Sequence, residues 1–415
     1  MKSQYSEIEG KNIHSDTIWK NKSFIYIWLG TIIYDLTFHI YILAIPLIIY
    51  EISQSTLAMS TMRALDFAPN VILGIFIGVI VDRTNRKNFM RYSILLQVIL
   101  LISLVFLLEN STPSLWMIYI IGFLVSAFGY SFWNGFHSSL PQIVKKEQLT
   151  TANSAISFVY QIINIIGPGL AGVLLFTLSY SYGLVVTIIG LCIMVLLISL
   201  TQVEENHLQR NKDIETKPFW DDIKEGWIEV KQNSKLFSMT ITILCLNIAS
   251  GISSAVLIFY ALDQFKLTSN QLGIVIASSA IGGIVAALIA KKSREILGRG
   301  KLIIIAIYIG SFGQFLLFIS SHWIILMAGM ILIGFCSVFI NVHYQTLRQE
   351  STPAHLLGRV SGTTSMLMKI ATPISFIGAG LLGERIDVCW IFLISSIIMI
   401  LLTGVLVRYK VFKFA

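Results

Sequence analysis

The chain reads as an all-α integral membrane protein with twelve transmembrane helices in two pseudo-symmetric six-helix halves. Three observations carry that reading. The 415 residues are 55% hydrophobic and only 13% charged, with a mean hydropathy of +0.77, whereas a soluble domain carries about 25% charged residues. Twelve runs are apolar over the roughly 20 residues that a bilayer-crossing helix needs. A short loop signature that closes the second run returns in degenerate form 205 residues later, as expected of a chain built from two related halves.

The runs cover residues 24–50, 57–81, 90–108, 114–140, 152–176 and 180–202, then 236–262, 269–290, 300–320, 322–347, 358–383 and 386–407. Residues 1–23 are polar, mixed in charge and without a cleavage-site pattern, so the first run is read as a retained span. Four segments follow: a cytoplasmic N-terminal segment (1–23), a first half (24–202), a cytoplasmic linker (203–235) and a second half (236–415). Within the linker, Trp220, Ile223, Trp227 and Val230 recur at helical spacing among charged residues. That pattern predicts an amphipathic helix on the inner membrane face.

Charge placement orients the chain. Of the 30 Lys and Arg, Lys266 and Arg385 fall in loops assigned outside and Arg63 and Lys369 within spans, leaving 26 at the termini and the even-to-odd loops. By the positive-inside rule, both termini and those loops are cytoplasmic in a cell membrane. Basic loops beside an anionic inner leaflet also explain the net charge of +8, and no nucleic-acid partner is expected. Cys192, Cys245, Cys336 and Cys389 stand singly in or beside spans without metal-ligand spacing, and read as small core residues.

The loop signature is Gly78-Val79-Ile80-Val81-Asp82-Arg83-Thr84-Asn85-Arg86-Lys87. Its echo keeps Gly283, Lys291 and Lys292 and replaces the acid by Ala287. Pro168 in the fifth run and Pro373 in the eleventh repeat the 205-residue spacing, and Asn134 and His137 are echoed by Asn341 and His343. The signature resembles the second-to-third helix loop of the major facilitator superfamily, Gly-x-x-x-Asp-Arg-x-x-Arg-Arg/Lys. That resemblance implies a secondary transporter that works by alternating access. It also implies a gate in which Gly78, Asp82, Arg83, Arg86 and Lys87 meet the start of the eleventh helix near Gly358 and Arg359. There an acid would face a positive helix terminus. Gly167-Pro168-Gly169-Leu170-Ala171-Gly172 resembles the motif that marks exporters in this superfamily, which favours efflux over uptake.

Further stretches resemble the macrolide-efflux branch of the drug:proton antiporters, which also contains siderophore exporters. They are Leu140-Pro141-Gln142-Ile143-Val144 with Glu147-Gln148-Leu149 and Ala152-Asn153, then Leu357-Gly358-Arg359-Val360, then Gly383-Glu384-Arg385-Ile386. The resemblance implies a proton-coupled exporter of an amphipathic small molecule, such as a macrolide-like drug. A siderophore or metallophore exporter and a lysolipid flippase on the same fold are the alternatives. One departure stands out: many drug:proton antiporters carry an arginine within the fourth helix, and none lies in that run here, where Val125 is the comparable position.

Ionisable residues inside spans are expensive, at roughly 2.5–3.5 kcal/mol each on insertion scales, so they mark function or pairing. Asp35 and His39 share a face of the first helix, and Asp35 lies near the bilayer centre. Burial there penalises the charged form, the property a proton carrier needs, although hydrogen bonding to His39 for packing alone would also place the residue. Arg63, Asp66 and Asn70 form a second polar stripe. Asp66 is the other candidate for proton coupling, and Arg63 either pairs with it or meets cargo. Lys369 has no charged neighbour on its own helix. Helices four, seven and ten line the cavity in this superfamily, so Asn134, His137, Asn247, Asn341 and His343, with the aromatic Tyr34, Trp133 and Tyr344, are candidate substrate contacts. His39 joins them, as does Lys369, which could reach Asp66 or a substrate where the second and eleventh helices of this superfamily meet.

The sequence contains no Gly-x-x-x-x-Gly-Lys-Ser/Thr loop and no His-Glu-x-x-His pair. It therefore suggests neither an ATP-driven pump nor an enzyme, and no cofactor or metal site. The expected partners are a small-molecule substrate, protons and the surrounding lipids, around a monomer.

Overall fold

The computed structural model describes residues 18–73, 77, 80–81, 84–110, 113–202, 219–353 and 356–408. The chain runs α1 (Lys22–Ser53), α2 (Thr56–Ile72), α3 (Arg86–Asn110), α4 (Leu115–Ile143), α5 (Leu149–Thr177) and α6 (Tyr180–Leu200). A shorter α7 (Phe219–Gln232) follows, then α8 (Ser234–Phe265), α9 (Ser269–Leu297), α10 (Arg299–Phe318), α11 (Trp323–Ser351), α12 (Leu357–Gly383) and α13 (Val388–Arg408). Eleven of the described helices are long and apolar enough to cross a membrane. The stretch expected as the second span is helical over α2 and again at Ile77, Ile80 and Val81, and its remainder lies outside the described residues.

Local chemistry starts and stops these helices. Asn21 caps α1, its Oδ1 accepting from the Phe24 N–H at 3.1 Å while its Nδ2 reaches the Ile143 carbonyl at 2.7 Å. Thr268 and Gln271 form a reciprocal capping box on α9, satisfying donors that a helix start leaves open. α9 also outruns its apolar stretch through Lys291, Lys292 and Arg294. No helix breaker intervenes until Gly298, whose φ of 74° suits a residue without Cβ.

The two sets of six helices do not meet evenly along their length. At the end where Glu384 lies, one continuous core joins α1–α6 to residues of the later helices such as Val256, Tyr260, Leu272, Phe376 and Phe392. At the opposite end, where Arg86 lies, the later helices keep a separate core that includes Leu236, Ile303, Ile340 and Val360. Two helix pairs form the junction, α5 with α9 and α2 with α12. Small residues permit both approaches. A Cβ on Gly172 would stand 2.5 Å from the Ser269 carbonyl oxygen and 3.1 Å from the Gly273 Cα. One on Gly380 would strike the Ser60 hydroxyl and stand 3.0 Å from the Leu57 Cα. Among the described residues the two halves therefore share one core at the Glu384 end and keep separate cores towards the Arg86 end.

The amphipathic α7 docks on α12 and α8. Val230 is fully buried in the second core, and the Trp227 ring meets Phe237 edge-on at 6.0 Å. Trp220 falls within the helix, but the side chains of Trp220 and Ile223 lie outside the described residues.

Candidate functional site

Between the two sets of helices lies a cavity of about 660 Å³. Helix periodicity puts Tyr34 and Phe38 on the face of α1 that meets α4, where Trp133 and His137 repeat the spacing of four. Tyr34 stacks on Phe38 at 5.3 Å and meets Trp133 edge-on at 6.1 Å, and Trp133 stacks on His137 at 5.7 Å. The Tyr34 hydroxyl donates to Gln97 Oε1 at 3.2 Å, and Gln97, itself fully buried, donates to the Ser93 carbonyl. This anchor holds the aromatic wall in one orientation.

Asp66 and Asn70, one turn apart on α2, bring the acid to the same cavity. Asp66 Oδ1 accepts a 2.8 Å hydrogen bond from the Ser126 hydroxyl of α4. Arg63, one turn earlier, makes no ion pair with Asp66 among the described residues and is not among the residues lining this cavity. Asn134 spends its Nδ2 on the Tyr130 carbonyl at 2.8 Å, which leaves its carbonyl oxygen for the cavity. From α12, the exposed Lys369 completes the wall.

A second cavity of about 300 Å³ lies among α8, α10, α11, α12 and α13 and also includes Lys369. Asn247, Asn341 and Tyr344 line it. Asn247 Nδ2 donates to the Met368 carbonyl at 2.9 Å, and the Tyr344 hydroxyl lies 3.2 Å from Thr240 Oγ1. The structure thus gathers Tyr34, Asp66, Trp133, Asn134, His137 and Lys369 around one space, with Asn247, Asn341 and Tyr344 around its neighbour.

Other sequence candidates stand apart. Asp35 is 9% exposed, and its carboxylate has no hydrogen-bond or ion-pair partner among the described residues. His39 is bonded to the Asp35 backbone carbonyl, at 2.8 Å from Nδ1, and not to its carboxylate. A carbonyl only accepts, so Nδ1 carries the proton. The His39 ring lies against Gly167 of α5, where a Cβ would come within 2.8 Å of it. The glycine-proline motif of α5 therefore faces two ways, with Gly167 on α1 and Gly172 on α9. His343 is 2% exposed and packs edge-on against Phe339 at 4.5 Å, away from both cavities.

Of the gate residues, Gly78, Asp82 and Arg83 lie outside the described residues. Gly358 and Arg359 fall in the first turn of α12, with the Arg359 side chain outside the described set. Arg86 Nη1 donates to the Ser138 carbonyl at 3.0 Å and Lys87 Nζ to the Ser199 carbonyl at 2.7 Å. Both cations thus sit at the C-terminal ends of α4 and α6, where helix dipoles favour positive charge. They tie α3 to its own half.

Sequence reasoning missed Gln97, Ser126, Arg348 and Glu384 as parts of this architecture. A polar residue at a core-facing position of an apolar helix is the signal that could have found the first two. Glu384 stands out only within the resembling stretch 383–386, and its role is not legible there because its partners lie 327 and 329 residues away.

A sequence profile of the Major Facilitator Superfamily matches residues 27–375 and 239–412. Macrolide efflux protein A of Streptococcus pyogenes is 25% identical over 389 residues, covering 92% of this chain and 94% of that one. The multidrug efflux pump Tap of Mycolicibacterium fortuitum is 26% identical over 371 residues, covering 87% and 89%. The enterobactin exporter EntS of Escherichia coli O1:K1 / APEC is 25% identical over 308 residues, covering 69% and 67%. Among solved structures, a bacterial homologue of the iron transporter ferroportin in an inward-facing state superposes with a TM-score of 0.71 at 15% identity, over 93% of this chain and 98% of that one. With the profile spanning most of the residues and the helical architecture in place, the chain belongs to the Major Facilitator Superfamily.

Proposed function

We propose that this protein is a secondary-active exporter that expels an amphipathic small molecule by alternating access, driven by protons. The single observation that carries the reading is the cavity where Asp66, the Tyr34–Trp133–His137 wall and Lys369 meet, closed at the Glu384 end. An acid beside aromatic faces suits a basic, ring-bearing cargo, since both the carboxylate and the ring faces attract a cation. The likeness to a macrolide efflux protein and a multidrug pump supports the same cargo class.

With the basic loops in the cytoplasm, the Arg86 end faces inward. There the described residues of the two halves keep separate cores, and this arrangement is read as the state that loads cargo from the cell. Both termini are then cytoplasmic. Asp35, buried and without a counter-charge among the described residues, is the first choice for the proton carrier, and Asp66, at the cargo site, is the second. A gate of Asp82 with Arg83, Arg86 and Lys87 against Gly358 and Arg359 would form on the inner side when the cavity opens outward, in a protein working as a monomer. The chemistry requires neither a cofactor nor a catalytic residue.

Two observations support a second reading, export of an anionic siderophore: Lys369 in both cavities and the likeness to an enterobactin exporter. Cellular accumulation of a labelled basic macrolide and of a labelled catecholate siderophore, with and without the protein, tests both. Lower accumulation of the macrolide alone supports drug efflux, and of the siderophore alone the second reading. Unchanged accumulation of both would remove the exporter assignment for these cargoes.

A further inference from the structure

The two cavities share Lys369 and differ in their acid. The larger holds Asp66. The smaller has no acidic residue among those described on its walls, and Lys369 is exposed there. Gln345 also lines it, and its orientation is fixed from behind. Arg348, one turn further along α11, donates from Nη2 to Gln345 Oε1. A guanidinium has only donors, so the atom it touches must be the amide oxygen. The Nε2 amine of Gln345, with two N–H groups, is therefore the end left for the cavity.

Arg348 is itself 9% exposed. Its Nη1 donates to Thr364 Oγ1 at 3.2 Å, and its guanidinium carbon lies 5.5 Å from the Tyr344 ring centroid. Its Nε has no hydrogen-bond partner, and no carboxylate pairs with it among the described residues. A buried cation with no counter-anion among the described residues leaves a positive field at the nearby wall, and low dielectric strengthens that field. The small cavity thus presents an ammonium and an oriented amide N–H pair, with a second fixed positive charge behind. Asn247, whose Nδ2 is engaged with Met368, adds one carbonyl oxygen that suits a hydroxyl beside the anion.

We propose that the smaller cavity is a subsite for an anionic group of the cargo, a carboxylate, held by Lys369 Nζ and Gln345 Nε2 with Arg348 as the positioning residue. The inference rests on the exporter reading in taking this space as part of the cargo site. It makes that site bipartite, with cationic groups drawn to Asp66 and carboxylates to Lys369 and Gln345. An amphiphile bearing a carboxylate then binds more tightly than its neutral amide of the same shape. The difference arises because a charge-assisted hydrogen bond is stronger than a neutral one.

Equilibrium binding of dansylaminoundecanoic acid and of its primary amide to the full-length protein in nanodiscs, corrected against empty nanodiscs, tests the subsite. The acid is expected to bind about tenfold more tightly than the amide, a ratio worth about 1.4 kcal/mol. Lys369→Gln and Gln345→Glu bring the ratio close to one, with the acid losing more affinity than the amide. Arg348→Gln lowers the acid affinity and leaves the amide affinity, whereas a merely structural role would lower both. Equal binding of the two probes by the unsubstituted protein overturns the proposal, as does an undiminished ratio in both Lys369→Gln and Gln345→Glu. Binding is read here without transport, so acid preference in a protein that exports nothing would support the subsite while removing the exporter reading.

Discussion

The Glu384 carboxylate accepts a 2.6 Å hydrogen bond from the Ser55 hydroxyl and a 3.1 Å bond from the Leu57 N–H, joining the end of α12 to the first turn of α2. Ser55 is itself the cap of α2, accepting from the Ala58 N–H at 3.0 Å. An anion therefore sits at a positive helix start contributed by the other half. The Ser55 hydroxyl, then the Leu57 N–H, hold the Glu384 carboxyl below its usual range. A depressed carboxylate contributes its stabilisation above the ordinary value of about 4.3 and loses it only as pH falls further. Glu384 thus stays ionised between about pH 5 and 8 and acts as a fixed latch rather than a proton sensor.

Glu384→Gln is expected to loosen that latch to the same degree across this pH range. Spin labels at Asn110 and Ser321, exposed positions in opposite halves, would show a larger long-distance population in the variant. Distances unchanged from the parent protein would leave Glu384 without a part in closing this end.

Two neighbouring glycines of α5 make a paired test of the α5–α9 junction. Gly172→Ala pushes a methyl to 2.5 Å from the Ser269 carbonyl, whereas Gly169→Ala meets nothing within 4 Å. Overpacking of this kind costs about 1–3 kcal/mol. Thermal unfolding in detergent should therefore fall for Gly172→Ala and stay unchanged for Gly169→Ala. Equal behaviour of the two would mean that the junction yields without cost.

Trp133 stacks on His137 and meets Tyr34 edge-on. Trp133→Leu keeps an apolar side chain and removes the ring face. A cation–π contribution of about 0.5–2 kcal/mol corresponds to roughly a 2- to 30-fold weaker affinity for a basic cargo. The expected effect is a raised KM with kcat largely kept. An unaltered KM would place the cargo elsewhere.

Asp35 has no partner for its carboxylate among the described residues and a single purpose in the proposed cycle. Asp35→Asn is expected to abolish gradient-driven export while leaving downhill exchange of cargo, since an amide cannot alternate between charged and neutral forms. Intact pH-dependent export in Asp35→Asn, with loss in Asp66→Asn, would exchange the two roles.

Much of this arrangement is legible in the sequence because membrane helices obey few rules. Length and apolarity mark α1 and α3–α13 apart from α7, and a spacing of four puts Tyr34 with Phe38 and Trp133 with His137. What the sequence does not show is which of several polar atoms a side chain reaches. Arg63 stands one turn from Asp66, yet Ser126 from another helix makes the bond, because a long arginine can extend either way from its helix. His39 shares a face with Asp35 and bonds its backbone instead. Glu384 and Ser55 meet only through the closure of the whole bundle, which no local pattern encodes. The separation of the two cores towards the Arg86 end is likewise a property of the assembled bundle.

The central claim is that a proton gradient drives cargo through the Asp66 cavity. The most direct measurement is uptake of a labelled basic macrolide into inside-out membrane vesicles holding an imposed acid-inside gradient. The account predicts uptake that collapses with a protonophore and falls about tenfold or more in Asp66→Asn, a loss of at least about 1.4 kcal/mol in transition-state stabilisation. Uptake that persists without the gradient, or that Asp66→Asn leaves intact, would contradict it.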